Sequence, residues 1–140
     1  MNEINRLDNI LCFSLYSVTN ALMRQYRPYL KEFDLTYPQF VVLLALYEQD
    51  NISLKELGEK TLFDSGTLTP LVQKLEAKGY LNRVPVPEDE RVKKALLTEK
   101  ARDLQTRISD IPNQLRCSIS MNDQQLTTLR QLSHQLLEDL

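Results

Sequence analysis

The two cysteines, Cys12 and Cys117, are the side chains whose chemistry could make this chain respond to an oxidant. A cysteine thiolate attacks a peroxide oxygen and becomes a sulfenic acid, which a second thiol converts to a disulfide. Two cysteines at opposite ends of the chain do not predict a disulfide scaffold, and the single histidine, His134, leaves too few ligands for a zinc site. From residue types alone, packing is the simpler interpretation of Cys12, and His134 is a surface residue.

Hydroxyl, amide and basic side chains in the middle of the chain form a second group with recognisable chemistry. Small hydroxyls near the start of a helix approach phosphates and base edges closely, and the amide of Gln73 can bind adenine through two hydrogen bonds. Lys74 and Lys78 suit phosphates. Arg91 could enter the minor groove, with Asp89 orienting its guanidinium. The predicted DNA-contacting residues are Ser65, Thr67, Thr69, Gln73, Lys74, Asp89, Arg91 and Lys93.

The elements that position this second group have the pattern of a helix-turn-helix. An apolar run over residues 40–47 predicts a buried helix, and the serine and glutamate of residues 53–56 form a capping box that starts a short helix. The next helix has an apolar stripe over residues 68–75. Because Pro70 lacks an N–H, we expect this helix to be capped near residues 66–67.

A hairpin pattern follows the helix-turn-helix. Gly79 suits the left-handed position that ends a helix. Residues 81–86 and 92–97 then have an extended pattern, and the polar residues 87–91 predict the turn between them. Two helices and a hairpin in this order are typical of a winged helix.

Leucine-rich patterns predict amphipathic helices at both ends of the chain. Over residues 7–22 apolar side chains recur at spacings of three and four, and Pro28 interrupts this pattern. Thr98 is predicted to cap a helix that Pro112 bends or ends, and residues 120–123 to start a last helix. These terminal helices need an apolar partner, and we expect a second subunit rather than their own core.

Composition bounds the remaining possibilities. A chain of 140 residues with 42% hydrophobic and 26% charged residues fits one ordinary globular domain. A net charge of −2 counts mildly against nucleic-acid binding, although residues 53–94 are slightly basic. No apolar run could span a bilayer, and Met1, Asn2 and Glu3 do not begin a secretory signal. We therefore expect a cytoplasmic protein without metal, cofactor or membrane contact.

The middle of the sequence resembles the MarR family of transcriptional regulators. The resemblance is carried by DSGTLTPLVQKLE at residues 64–76, and by DER at 89–91 followed by KALLTEKA at 94–101. It implies a mainly α (α+β) winged helix-turn-helix fold, with a DNA-binding region over residues 38–101 and dimerisation helices over residues 1–33 and 108–140. It further implies a single-domain homodimer that binds a pseudo-palindromic operator in duplex DNA, usually as a repressor, and that is not an enzyme.

Near the N-terminus the chain resembles the organic-hydroperoxide-sensing branch of that family, the OhrR type. Leu11-Cys12-Phe13, with Tyr26 and Tyr37 downstream, carries this resemblance. It implies that Cys12 senses organic hydroperoxide, and that the hydroxyls of Tyr26 and Tyr37 stabilise its thiolate. It also implies that Cys117 resolves the oxidised Cys12 through an intersubunit disulfide, which would release the operator.

Other functions remain open at this point. A MarR-type repressor could instead bind a phenolic or other aromatic effector between its dimerisation and DNA-binding regions, with both cysteines incidental. A thiol peroxidase would need a redox scaffold with a Cys-x-x-Cys motif, which the sequence lacks. An interaction module that does not bind DNA would show no salt-dependent affinity for duplexes.

Overall fold

The computed structural model describes residues 6–140, so the prediction made on Met1, Asn2 and Glu3 lies outside the described residues. The helices α1 to α4 are Leu11–Lys31, Tyr37–Glu48, Leu54–Thr61 and Ser65–Ala77. The strands β1 to β3 are Ile52–Ser53, Leu81–Val86 and Asp89–Leu97. The helices α5 to α8 are Glu99–Asp103, Gln105–Ser109, Ile111–Arg116 and Asp123–Asp139. The architecture is mainly α with one small antiparallel sheet, which confirms the predicted fold class.

The first two helices differ in how much of their surface is buried. Pro28 lies inside α1 and does not end it, contrary to the sequence pattern. Its ring is on the exposed side of the helix, where water can bond to the Arg24 carbonyl that the missing N–H leaves without a donor. Helix α2 starts at a capping box in which Thr36 Oγ1 accepts from the Gln39 amide and Gln39 Oε1 accepts from the Thr36 amide. Half of its 12 side chains are buried, and most of these lie within residues 40–47, where burial was predicted.

The helix-turn-helix consists of α3 and α4. Ser53 Oγ accepts from the Glu56 amide at 3.1 Å and starts α3, and Leu62 ends it with a φ of 62°. The cap of α4 is Asp64, whose Oδ1 accepts from the Thr67 amide at 2.7 Å. The prediction of a cap near residues 66–67 was therefore wrong, because the carboxylate of Asp64 starts the helix two residues earlier and Pro70 is accommodated inside it. Gly79 ends this part with a φ of 82°, as predicted.

The sheet has the strand order β1-β3-β2, and both pairings are antiparallel. Val86 pairs with Asp89, so β3 begins at Asp89 and not at Val92 as the polar residues suggested. Polar side chains can occupy this part of the strand because it projects into solvent. The sequence did not predict β1, since two residues are too few for a periodic signal.

The C-terminal region contains three short helices and the long α8. Thr98 Oγ1 accepts from the Ala101 amide at 3.2 Å, which confirms the predicted cap of α5. Pro112 lies in the first turn of α7, where its ring is compatible with helix. Asn122 caps α8, so this helix starts within the predicted segment. No helix within residues 6–140 is both long and apolar enough to cross a membrane.

Candidate DNA interface and thiol site

One face of α4 is buried and the opposite face is exposed. Leu68, Val72 and Leu75 are packed in the core, and their spacing of three and four residues defines the buried face. All five residues of α4 that were predicted to contact DNA lie exposed on the remaining surface, namely Ser65, Thr67, Thr69, Gln73 and Lys74. The structure therefore presents hydroxyl, amide and ammonium groups together on the second helix of the helix-turn-helix.

The wing formed by β2 and β3 presents a basic side chain at its tip. The side chain of Arg91 is 92% exposed, and its Nε lies 3.3 Å from Asp89 Oδ1. The same carboxylate oxygen accepts from the Arg91 backbone N–H at 3.0 Å. Asp89 thus orients Arg91 as the sequence suggested, and Lys93 is exposed on the same strand.

An ion pair joins the wing to α4. Glu76 Oε2 accepts from the Arg83 backbone N–H at 2.8 Å, and Glu76 Oε1 accepts from Arg83 Nη2 at 3.0 Å. These hydrogen bonds from Arg83 hold the pKa of the Glu76 carboxyl below its ordinary value. The sequence did not predict this pair, because Glu76 lies in α4, Arg83 lies in β2, and no local pattern links them.

The C-terminal end of α4 is also tied to the connection between α1 and α2. Lys78 Nζ donates to Gln39 Oε1 at 2.9 Å and to the Asp34 carbonyl at 2.5 Å. The Tyr80 hydroxyl donates to the Phe33 carbonyl at 2.6 Å. The ammonium of Lys78 is therefore engaged in these hydrogen bonds and is turned away from the exposed face of α4 that carries Lys74. Only the tertiary structure shows this, since Lys78 and Gln39 are distant in the sequence.

Tyr26 and Tyr37 come together between α1 and α2. Their rings meet edge to face with centroids 5.0 Å apart, and both rings lie near Phe40. Burial raises the pKa of both hydroxyls, and the proximity of Tyr37 raises that of Tyr26 further. Among the described residues neither phenol hydroxyl has a hydrogen-bond partner, so both protons are available to donate.

The tyrosine pair borders a groove of about 360 Å³ between α1 and α7. Its lining is mostly apolar, with the guanidinium-bearing Arg116 at one side. The residues that line the groove are Thr19, Leu22, Met23, Tyr26, Tyr37, Pro112, Leu115, Arg116 and Ile119. The groove is large enough for a small organic molecule.

Both cysteines are free thiols on the surface of the chain. Cys12 is exposed in the first turn of α1, and Cys117 is exposed where α7 ends. Cys12 and Tyr26 lie on the same continuous helix, so the helical rise separates them by about 21 Å. One chain therefore brings the two tyrosines together and does not bring Cys12 to them.

Nothing in the described part of the chain suggests a metal site. Among residues 6–140, no cluster of three or more histidine, cysteine, aspartate or glutamate side chains could hold a metal ion. The candidate chemistry is therefore that of the exposed recognition surface, the two thiols and the tyrosine pair.

Comparisons with known proteins agree with this geometry. The model of the MarR family matches residues 35–93. The organic hydroperoxide resistance transcriptional regulator of Bacillus subtilis is 36% identical over 135 residues, covering 96% of this chain and 92% of that protein. The regulator TtmR of Methylorubrum extorquens is 44% identical over 107 residues, which are 76% of this chain and 55% of TtmR.

Solved structures of AbfR from Staphylococcus epidermidis share the fold over nearly the whole chain. Reduced AbfR bound to DNA has a TM-score of 0.80 and 30% sequence identity, covering 96% of this chain and 94% of that one. The disulfide form of AbfR has a TM-score of 0.69 and 32% identity, covering 94% and 93% of the two chains. The chain belongs to the MarR family of winged helix-turn-helix, DNA-binding transcriptional regulators.

Proposed function

We propose that this regulator is a homodimeric repressor that leaves its operator when organic hydroperoxide oxidises Cys12. The pairing of Tyr26 and Tyr37 carries the proposal, because it places two proton-donating hydroxyls beside an apolar groove. Two exposed thiols supply a sensing and a resolving group. The named function of the B. subtilis relative and the existence of a disulfide form of AbfR support the same assignment.

Binding of duplex DNA is assigned to residues 38–101. The exposed face of α4 would enter the major groove and Arg91 the minor groove, with Lys74 and Lys93 on phosphates. Because counterions leave the DNA when lysine and arginine neutralise its phosphates, we expect affinity to fall steeply with salt. Two such faces in a dimer would match the two halves of a pseudo-palindromic operator.

Dimerisation is assigned to residues 1–33 and 108–140. In the described chain none of the residues of α8 is buried, although this helix is rich in leucine. Covering one exposed leucine contributes roughly 1.5–3 kcal/mol, so several of them can hold two subunits together. The large apolar side chains left exposed on the two segments are Leu7, Leu11, Tyr16, Val18, Leu22, Met121, Leu129, Leu132, Leu137 and Leu140.

A dimer would also complete the thiol site. About 21 Å of helix separates Cys12 from Tyr26 in one chain. If the two tyrosine hydroxyls donate to a Cys12 thiolate, that thiolate must therefore belong to the partner subunit. Two protonated hydroxyls that donate to a thiolate stabilise its negative charge and favour the reactive form. The proposed sensor is therefore a site shared by two subunits.

The proposed chemistry transfers two electrons from the protein to the peroxide. The Cys12 thiolate attacks one peroxide oxygen, the O–O bond breaks, and the other oxygen leaves with its organic group and takes up a proton to become an alcohol. The Cys117 thiol then attacks the sulfenic sulfur of Cys12, forming the S–S bond and releasing water. A disulfide requires the two Cα atoms within about 7 Å, so helices that hold the thiols farther apart must move and displace the two copies of α4.

The test compares operator affinity before and after addition of cumene hydroperoxide. We expect the wild type to lose most of its affinity, Cys12→Ser to retain it, and Cys117→Ser to form no covalent dimer on a non-reducing gel. If Cys12→Ser is released from the operator as readily as the wild type, the thiol mechanism is wrong.

The groove supports a second candidate function. Its apolar lining and its two phenol rings suit an aromatic ligand. In that case an aromatic compound such as salicylate would release both the wild type and Cys12→Ser from the operator. Release of the wild type alone, by peroxide alone, excludes this alternative.

A further inference from the structure

The guanidinium of Arg116 closes the turn that connects α7 to α8. Its Nη1 donates to the Ile119 carbonyl at 3.0 Å, and its Nη2 donates to the Met121 carbonyl at 3.0 Å. The same Nη2 donates to the Asp123 carboxylate at 2.7 Å. We call these three contacts the Arg116 clamp. It spans residues 117–122, which contain Cys117.

Cys117 is the first residue of the segment that the clamp closes, and it follows a buried leucine by two positions. Arg116 directly precedes it, and the side chain of Leu115 before that is packed in the core. The Cys117 thiol donates to the Asn113 carbonyl of its own helix at 3.4 Å and remains exposed. The backbone that carries the thiol is therefore restrained on both sides, while the thiol itself stays accessible to a reactant.

We propose that Arg116 is a positioning residue for Cys117 in the disulfide-forming step. This inference rests on the proposed function, since it concerns how the Cys117 thiol reaches the sulfenic acid of Cys12. In that step the Cys117 sulfur bonds to the Cys12 sulfur, the S–O bond of the sulfenic acid breaks, and water leaves with the thiol proton. The clamp contributes by confining the residues around Cys117 to one conformation, so that less conformational entropy is lost when helix movement brings the two sulfurs together.

The chemistry of arginine explains why this residue can do so. A planar guanidinium presents several N–H donors in a fixed fork, so one side chain can hold two carbonyls and a carboxylate at the same time. The bond to Asp123 is charge-assisted, and it ties the end of α7 to the first turn of α8. Arg116 also lines the groove beside Tyr26 and Tyr37, so the turn is held against the surface at which we place the sensing chemistry.

The experiment follows the two oxidation steps separately in the full chain. Reduced wild type, Arg116→Met and Asp123→Asn are mixed with cumene hydroperoxide. Samples taken over time are quenched with dimedone, which labels sulfenic acid, and with N-ethylmaleimide, which blocks thiols. Mass spectrometry then gives the rate of Cys12 oxidation, and non-reducing gels give the rate of disulfide formation. Arg102→Met is the matched control, because it breaks an arginine–aspartate pair of the same kind, with Asp50, far from Cys117 in the sequence.

We expect Arg116→Met to form the disulfide about tenfold more slowly than the wild type when each rate is taken relative to the rate of Cys12 oxidation in the same protein. Dimedone-labelled protein should accumulate accordingly. Asp123→Asn keeps both carbonyl contacts of the clamp, so it should show a smaller delay and test the idea even if Arg116→Met folds poorly. Arg102→Met should match the wild type in both steps.

The other outcomes overturn the inference in distinguishable ways. If Arg116→Met forms the disulfide at the wild-type rate or faster, or slows both steps equally, Arg116 does not position Cys117, and the proposed function stands. If the wild type forms no bridge between Cys12 and Cys117, the resolving role in the proposed function and the inference on Arg116 are both wrong.

Discussion

The ring of Tyr26 in α1 meets the ring of Tyr37 in α2 edge to face, with 5.0 Å between their centroids. The two residues reach this contact from different elements. Tyr26 lies in the later turns of α1, and Tyr37 stands in the first turn of α2 because Thr36 caps that helix. Partial burial raises the pKa of both hydroxyls, so both keep their protons at neutral pH. Two donors are thereby held side by side, ready for an anionic acceptor.

Removing either hydroxyl should slow the reaction of Cys12. One hydrogen bond to a charged group contributes about 1.5–3 kcal/mol, so Tyr26→Phe and Tyr37→Phe should each slow oxidation by cumene hydroperoxide by about tenfold or more. Stopped-flow measurements at neutral pH would give these rates. Tyr29→Phe is the matched control, since Tyr29 lies on the same helix as Tyr26 and does not line the groove. Unchanged rates in both variants would contradict a role for the pair.

Gln73 and Lys74 should contribute to DNA binding in different ways. Gln73→Ala should cost about 1–3 kcal/mol on the operator and little on unrelated duplexes, because an amide reads a base edge. Lys74→Ala should weaken binding to every duplex and lower the salt slope by about one, because an ammonium binds phosphate. Fluorescence anisotropy with operator and scrambled duplexes at several salt concentrations separates the two. Equal loss of affinity on both duplexes for Gln73→Ala would exclude base readout.

The ion pair between Glu76 and Arg83 should make stability depend on pH in a defined direction. Its hydrogen bonds lower the pKa of Glu76 in the folded state below the ordinary value of 4.5. A carboxyl with a lowered pKa adds stability above the unfolded value, and this stability is lost as the pH falls through the folded value. Glu76→Gln should therefore lower the free energy of unfolding at neutral pH, by less than about 1 kcal/mol because the pair is partly exposed.

Urea unfolding at about pH 7 and about pH 3 would check this expectation. The difference between wild type and Glu76→Gln should shrink at the acidic pH, where protonation removes the charge in the wild type as well. A difference that is the same at both pH values would show that the carboxylate charge is not what stabilises the wing.

The exposed leucines of α8 should hold the dimer together. Leu132 is 59% exposed in the single chain, so Leu132→Glu would place a charge in each half of the proposed interface. We expect this variant to dissociate to monomers in sedimentation velocity experiments and to lose operator affinity. Gln131→Glu adds the same charge to the adjacent exposed position and should remain dimeric. A dimeric Leu132→Glu would mean that the interface lies elsewhere.

Local physics made much of the fold predictable from the residues. The stripe of Leu68, Val72 and Leu75 predicted which side of α4 is buried, because helical periodicity places residues three and four apart on one face. Gly79 predicted the end of that part of the chain, since its backbone adopts a φ that other residues avoid. Thr98 predicted the start of α5 because its hydroxyl satisfies a free amide of the first turn.

Other features depended on neighbours that no local pattern reveals. The start of β3 at Asp89 follows from pairing with Val86, which allows charged residues in an exposed strand. Lys78 was a plausible phosphate ligand from its place at the end of α4, yet the side-chain amide oxygen of Gln39 holds its ammonium inward. The start of β3 and the orientation of Lys78 are determined by contacts between different segments of the chain.

The thiol site separates these two kinds of information most clearly. The sequence by itself, through its resemblance to a known family, named Cys12, Tyr26, Tyr37 and Cys117 as candidates, and it predicted the winged helix that they would control. Only the tertiary structure decided that Tyr26 and Tyr37 share one groove, while the rise of α1 keeps Cys12 about 21 Å from them in the same chain. The reason is physical: a continuous helix fixes the distance along its axis, whereas the packing of one helix on another brings distant residues together.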